Sequence, residues 1–389
     1  MIELRGITWD HVRGWGGLRA ASAAYAAEHP DVRVSWEARS LQRFADQPVE
    51  ELEAYDLIVL DHPSIGEAVE RGTIVPLEGL LDEDFLADQR AHAVGASAAS
   101  YVWRGKTYAL ATDAAAQVAA FRPDLLERAG IDVPRTWDEV FAAEEPLGRI
   151  GASIAMPAIP VDAVCAFLAT CVALGDEPFT GDAVVGAEGG RRALETLGAV
   201  IDVAHPESLG WNPPTMLGHM SRADDVAYCP LAFGYVTYAV GSEDRRPLRF
   251  TGGPAGDDGR PRGTLGGAAL AISAASSHQD AAAAYARAVA SGDVQRGVYV
   301  DGGGQPGHRA AWTDPDVNAR TGGFFADTLE AIEAAYLRPR DPGFPPFQDV
   351  AGDAVHTWLR ERGDPGTVLS RLEAADRERR GRMRTVRER

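Results

Sequence analysis

Apolar positions recur along the chain in two alternating rhythms. Residues 2–9 and Val32-Arg33-Val34-Ser35-Trp36 alternate apolar with polar side chains, as half-buried strands do. Leu57-Ile58-Val59-Leu60 is a short unbroken apolar run, the pattern of a strand buried on both faces. Between the first two lies an Ala-rich stretch, 16–29, which reads as a helix ending near Pro30. Ser64-Ile65-Gly66-Glu67 has the spacing of a capping box and predicts a short helix closed by Gly72. Trp103 to Leu110 reads as a hairpin arm around Arg104-Gly105, and Ala114 to Phe121 as a strand. Arg122-Pro123-Asp124 opens a helix to Ala129-Gly130, and Thr136 is a plausible N-cap for another.

The pattern starts afresh beyond residue 152. Ile154-Ala155-Met156 reads as a strand, 162–174 as a long apolar helix, 188–203 as an amphipathic helix and Ala227 to Leu231 as a strand. Phe250 to Pro261 is a Gly/Asp/Arg loop, followed by a strand over Gly266–Ile272, a helix over 279–291 and a turn cluster at Gly302–Gly307. The C-terminal 60 residues read as mostly helical. Strands alternating with helices predict an α/β fold with mainly parallel sheets, and 389 residues suit about two domains.

Composition narrows the function classes. The formal net charge is −19, which argues against nucleic acid or an anionic membrane as partner. Lys106 is the one lysine, so lysine-dependent chemistry has a single candidate. Cys165, Cys171 and Cys229 form neither a disulfide framework nor a zinc motif, and the first two lie in an apolar helical run. No stretch approaches the ~20 apolar residues of a membrane span, so no membrane insertion is expected. The chain begins almost directly with a strand pattern, without a basic and apolar leader, so a cytoplasmic location is the expectation; a trimmed export signal would make it periplasmic or cell-surface instead. A G-x-S-x-G elbow, a Walker A loop, HExxH and a framed dinucleotide fingerprint are all missing, and no cofactor or metal is expected.

Five runs, in this order, resemble the bacterial extracellular solute-binding proteins of the carbohydrate-binding, family 1 type. They are Tyr55–Leu80, with a strand ending in Asp, a turn, a helix and then "G.I.PL"; Gly105 to Asp113, similar to "G..Y.LP.d"; Phe121 to Leu126, similar to "yrkDll"; Pro134 to Glu139, similar to "P.TWdE"; and Leu265 to Ser276, similar to "gg.glaIsa.s". Together they span about residues 1–310, with the middle of the chain matching only in pattern. The resemblance implies a two-lobe periplasmic-binding-protein-like fold with a hinged interdomain cleft that closes on a ligand. By analogy the first lobe comprises 1–111 and 265–310, the second 114–262 and 311–389 with the C-terminal helices. A sugar or polyol is the ligand default, and an ABC permease the implied partner if the chain is exported.

Four turns are the candidate ligand walls, because ligands of open α/β sheets bind beyond the carboxyl ends of strands. The first carries Trp9, Asp10, His11 and Arg13: a ring to stack on a sugar, groups to bond hydroxyls and a guanidinium for an anion. The second carries Asp61, His62 and Ser64, where Asp61 and Ser64 equally fit a role as helix caps alone. The third carries Asp113 and Gln117, which match in position the residues that the family commonly uses for ligand. The fourth is Gly302–Arg309, with Gln305 and His308 able to reach a ligand and the glycines equally explicable by a tight turn. Tyr235 is a candidate from the second lobe, beside Trp211, Tyr228 and Phe233; aromatic residues of this kind more often build core than platform. Arg13, Arg39 and Arg122 leave a carboxylated ligand open. The catalytic assignment is unknown. An intracellular enzyme on the same fold, using Asp10, His11, Asp61 and His62 for acid–base work, stays open as an alternative, as does a ligand sensor.

Overall fold

The structure, a computed structural model, describes residues 1–46 and 49–387. These fall into two compact units, the described residues of 1–115 with Gly266–Thr321 and Pro339–Pro342, and Ala116–Leu265 with Gly322–Arg338 and residues 343–387. Residues 311–321 and 339–342 thus lie in the first unit, where the sequence reading assigned 311 onward to the second.

The first unit is built on β1 (Ile2–Trp9), β2 (Val32–Arg39) and β3 (Leu57–Asp61). A small hairpin follows, β4 (Val102–Trp103) and β5 (Lys106–Thr107), and then the long β6 (Ala109–Phe121). Residues Arg104 and Gly105 turn the hairpin, both at positive φ. β1 pairs in parallel with β2 and β3, and a late strand, Leu265–Ile272, runs antiparallel to β3 with Ala268 opposite Asp61. The unbroken run in β3 serves two cores. Leu57 and Val59 pack on the side of Leu18, Ala283 and Tyr285, whereas Ile58 and Leu60 pack on the side of Ile65 and Tyr101. This is the signature of a strand covered on both faces.

The first helix spans Val12–Glu28, starting four residues before the expected point because His11 caps it. Its glycines are there for close approach. A Cβ on Gly16 would sit 2.0 Å from the Gly302 carbonyl oxygen, and one on Gly302 would sit 2.6 Å from that of Gly16. The Gly302–Gly304 turn therefore packs backbone against backbone on this helix. The helix after β3 spans Ile65–Glu70 and ends before Gly72, whose φ is +73°. The expected capping box does not form. Residues His62–Ser64 make a 3-10 turn, which holds Ser64 at φ −86°, ψ −4°, and its side chain makes no cap hydrogen bond. An N-cap side chain needs extended backbone to reach the amides, and Asp61 has it.

The second unit uses the far part of β6, then β7 (Ser153–Ile154), β8 (Val226–Phe233) and β9 (Arg249–Thr251). The late strand Leu265–Ile272 is β10. β8 runs antiparallel to β6, with Gln117 opposite Phe233, and parallel to β7. The apolar run expected over 162–174 is a helix, Pro160–Ala173, buried on nearly every side against Ala187–Val203 and Phe344–Glu361. Such all-round burial explains why its sequence shows little amphipathic period. Cys165, Cys171 and Cys229 are free and buried, and burial pushes the Cys171 and Cys229 thiols up, away from thiolate chemistry. Thr136 forms a full capping box with Glu139. Among the described residues no helix is long and apolar enough to cross a membrane.

Candidate functional site

β1 and β3 are parallel and in register at Gly6–Leu57 and Ile7–Ile58, so both run their carboxyl ends in the same direction, toward Asp10 and Asp61. Under these two ends lies a buried ion pair. Arg13, in the first turn of the Val12–Glu28 helix, grips Asp113 of β6 with two nitrogens: Nε donates to Oδ1 at 2.8 Å and Nη2 to Oδ2 at 2.6 Å. Both side chains are at most 4% exposed. The fork geometry fixes orientation as well as charge. Burial pushes the Asp113 carboxyl up, the Arg13 guanidinium and the Ala268 amide pull it back down, and Asp61 adds a small upward push. That last effect places Asp61 close to the pair. Gly267, at φ +107°, lets β10 come near enough for the Ala268 amide, since a Cβ there would lie 2.5 Å from the Asp113 carbonyl oxygen.

The candidates of the first unit divide by exposure and partner. Trp9 is core: its ring packs on Phe44 at 5.0 Å and covers Gly14. The Nδ1 of His11 accepts from the Arg13 amide at 3.1 Å and so caps the helix. Asp61 is partly exposed, and its Oδ1 accepts from the His62 amide at 2.8 Å. The His62 ring is fully buried, with Nδ1 3.1 Å from that same oxygen and Tyr101 edge-on at 6.5 Å. Asp10 is exposed, and Ser64 is half-buried. Gln305 is buried and serves backbone: its Nε2 donates to the Ala114 carbonyl at 2.8 Å, and its own carbonyl accepts from the Ala114 amide at 2.9 Å. His308 faces elsewhere, toward Asp88, His92 and Gly292, with its Nδ1 accepting from the Ala310 amide. Burial lowers its pKa. The turns thus bring Arg13 and Asp113 together with Asp61 and its neighbour His62 close by, leave His11 as a local cap and Asp10 exposed, and set Trp9 into the core.

In the second unit Gln117 is buried, with its Oε1 accepting from the Thr264 amide at 3.2 Å. Tyr235 follows the carboxyl end of β8, is 5% exposed and meets Tyr238 edge-on at 6.3 Å. Tyr228 is core, and its hydroxyl donates to the Pro134 carbonyl. Trp211 stacks on His205 at 4.6 Å. Sequence reasoning passed over Asp162. It lies past the carboxyl end of β7, in the first turn of the Pro160–Ala173 helix, buried and with Oδ2 lacking a hydrogen-bond partner. Burial pushes its carboxyl well up, and Arg338 opposes this. A single carboxylate inside the otherwise apolar run PVDAVCAFLATCVA was the available signal.

Of the three guanidiniums that left a carboxylated ligand open, Arg13 is held by Asp113, and Arg122 by Asp124 and Asp224 at 2.7 and 2.8 Å. Arg39 donates to the Val59 carbonyl, and burial pushes its pKa down to about 10. Neither Asp-His turn belongs to a group of three metal-ligating side chains among the described residues.

The family model described as bacterial extracellular solute-binding protein matches residues 16–296. A probable ABC transporter-binding protein of Deinococcus radiodurans is 25% identical over 291 residues, covering 69% of this chain and 68% of that protein. Among solved structures, maltose-bound MalE3 of T. maritima superposes with a TM-score of 0.82 at 20% identity, over 96% of this chain and 98% of that one. A solute-binding protein of Agrobacterium radiobacter in complex with ribitol gives 0.78 at 20% identity, over 96% and 97%.

Two consequences are measurable. Arg13→Met leaves Asp113 buried without its partner and is expected to cost about 3–5 kcal/mol in denaturant unfolding, with most of that recovered by adding Asp113→Asn. Asp162 has a raised folded pKa, so the folded chain binds its proton more tightly than the unfolded one. Its contribution is intact below the ordinary value of 3.8 and is lost as pH rises toward the folded value. Asp162→Asn should therefore raise Tm more at pH 7 than at pH 4; a lowered Tm at pH 7 would show a charged Asp162 supported by Arg338.

Proposed function

This chain belongs to the bacterial extracellular solute-binding protein family, and on that premise we propose that its ligand is an uncharged sugar or polyol bound at the strand-end turns. The observation that carries the reading is that Asp61, at the carboxyl end of β3, is partly exposed beside a charge pair that is already satisfied, while exposed Asp10 follows the carboxyl end of the parallel strand β1. Carboxylate oxygens accept hydrogen bonds from sugar hydroxyls without needing a counter-charge on the ligand. The compensated Arg13 and Arg122 weigh against a ligand carboxylate.

Support from relatives is in the same direction. The MalE3 structure holds maltose, the Agrobacterium radiobacter protein ribitol, and a further neighbour, from Agrobacterium vitis, D-mannitol. In this chain Asp10 and Asp61 are the contacts assigned to ligand, Arg13 and Asp113 the scaffold that aims them. An ABC permease is the partner that this role requires.

A thermal-shift panel of maltose, ribitol, mannitol and small carboxylates tests the proposal. A polyhydroxylated ligand at 100 times its Kd should stabilise the chain by about 2.7 kcal/mol. Asp61→Asn should weaken that ligand at least tenfold while leaving the unliganded Tm within about 2 °C, since one hydrogen-bonded cap changes little. Preferential stabilisation by carboxylates would contradict the assignment, and recovery of a chemically altered ligand would turn the chain into an enzyme.

A further inference from the structure

Beside the amino end of β8, opposite the end that carries Tyr235, two histidines converge on one carboxylate. His219 Nε2 lies 2.7 Å from Asp225 Oδ1, and His205 Nε2 lies 3.5 Å from Asp225 Oδ2. Each carboxylate oxygen thus faces a different ring. The three ligating atoms all lie within 4.8 Å of one another. We propose that His205, His219 and Asp225 form a binding site for one divalent transition-metal ion of the zinc type, with water completing the shell.

The separations suit such an ion. Metal–ligand distances of about 2.0–2.2 Å put tetrahedral ligand atoms about 3.4 Å apart, a spacing that the 2.7 and 3.5 Å separations bracket. Two imidazoles and one carboxylate are the donor set that zinc and its neighbours accept, whereas calcium and magnesium want oxygens. The rings are already oriented. Trp211, itself buried, stacks on His205 at 4.6 Å and lies 4.8 Å from His219. His205 is held by the 3-10 turn it caps and His219 by the last turn of the Pro213–Met220 helix, so three separate segments meet here. The side chains of His219 and Asp225 are 31% and 44% exposed, which leaves a path for an ion. Charge is partitioned in its favour. The neighbouring Asp224 is taken by Arg122 and Arg246, while the Asp225 carboxylate faces the two histidines.

Binding changes the proton positions in a defined way. His205 Nδ1 now accepts from the Glu207 amide at 3.2 Å, so the neutral ring carries its proton on Nε2, facing Asp225. Coordination through Nε2 moves that proton to Nδ1 and gives up the cap on the Pro206–Gly210 turn, one hydrogen bond against a metal bond gained. The ion would thereby tie the turn after the Ala187–Val203 helix to the start of β8, at the opposite end of that strand from Tyr235.

Calorimetric titration of the chelator-treated full chain with Zn2+ tests this. One ion per chain is expected, with affinity at least tenfold lower in His219→Ala and in Asp225→Asn. A measurement on the unaltered chain guards against misfolded variants: Zn2+ should protect His205 and His219 from diethyl pyrocarbonate modification, read by mass spectrometry. Absence of zinc binding overturns the proposal. So does an ion that leaves His205 and His219 reactive and instead protects His92 and His308, the histidines of the other His-His-Asp group.

Discussion

The buried pair of Arg13 and Asp113 is the constraint on which the first unit's strand ends depend. Two opposite charges have been taken out of water, and the desolvation cost is recovered only if the fork geometry is kept and the remaining carboxylate capacity is filled. Meeting that condition draws in three segments. The turn after β1 must place the helix's first residues under the strand end, which His11 achieves by capping and Thr8 by donating to the Gly14 carbonyl. β6 must run long enough to deliver Asp113. β10 must approach closely, which Gly267 permits. The pair therefore sits beside the strand end that carries Asp61.

Within that arrangement the Asp-His repeats take on a plain meaning. Both begin a helical segment at a strand's carboxyl end, and in each one residue caps: His11 through its ring, Asp61 through its carboxylate. The adjacent members differ in fate. Asp10 stays exposed, while His62 is buried against Tyr101. Asp61 remains partly exposed while its carboxylate holds the His62 amide.

Much of the fold was legible in the sequence, because its cues are local. The apolar run 57–60, the Gly72 and Gly130 helix ends and the Thr136 capping box each depend on residues within a few positions. The strand-end turns were legible for the same reason. What failed was equally physical. Ser64 has the spacing of a cap, but a 3-10 turn moved the cap to Asp61. Trp9 has the ring of a sugar platform, yet it is 4% exposed and packs on Phe44 in the core, a tertiary contact with no local cue. The pairing of Arg13 with Asp113 across 100 residues, and of His205 with Asp225, has no local signature at all. Asp162 was visible as a lone carboxylate in an apolar helix, but its burial is a tertiary fact.

Ligand held at the strand-end turns beside the Arg13–Asp113 pair is the central expectation for this chain. Hydrogen exchange of the backbone amides, with and without the sugar or polyol that stabilises the chain most, measures this most directly. The account predicts slowed exchange at residues 10–14 and 61–65 of the first unit on ligand addition. Unchanged exchange there, with protection confined to other parts of the chain, would contradict it.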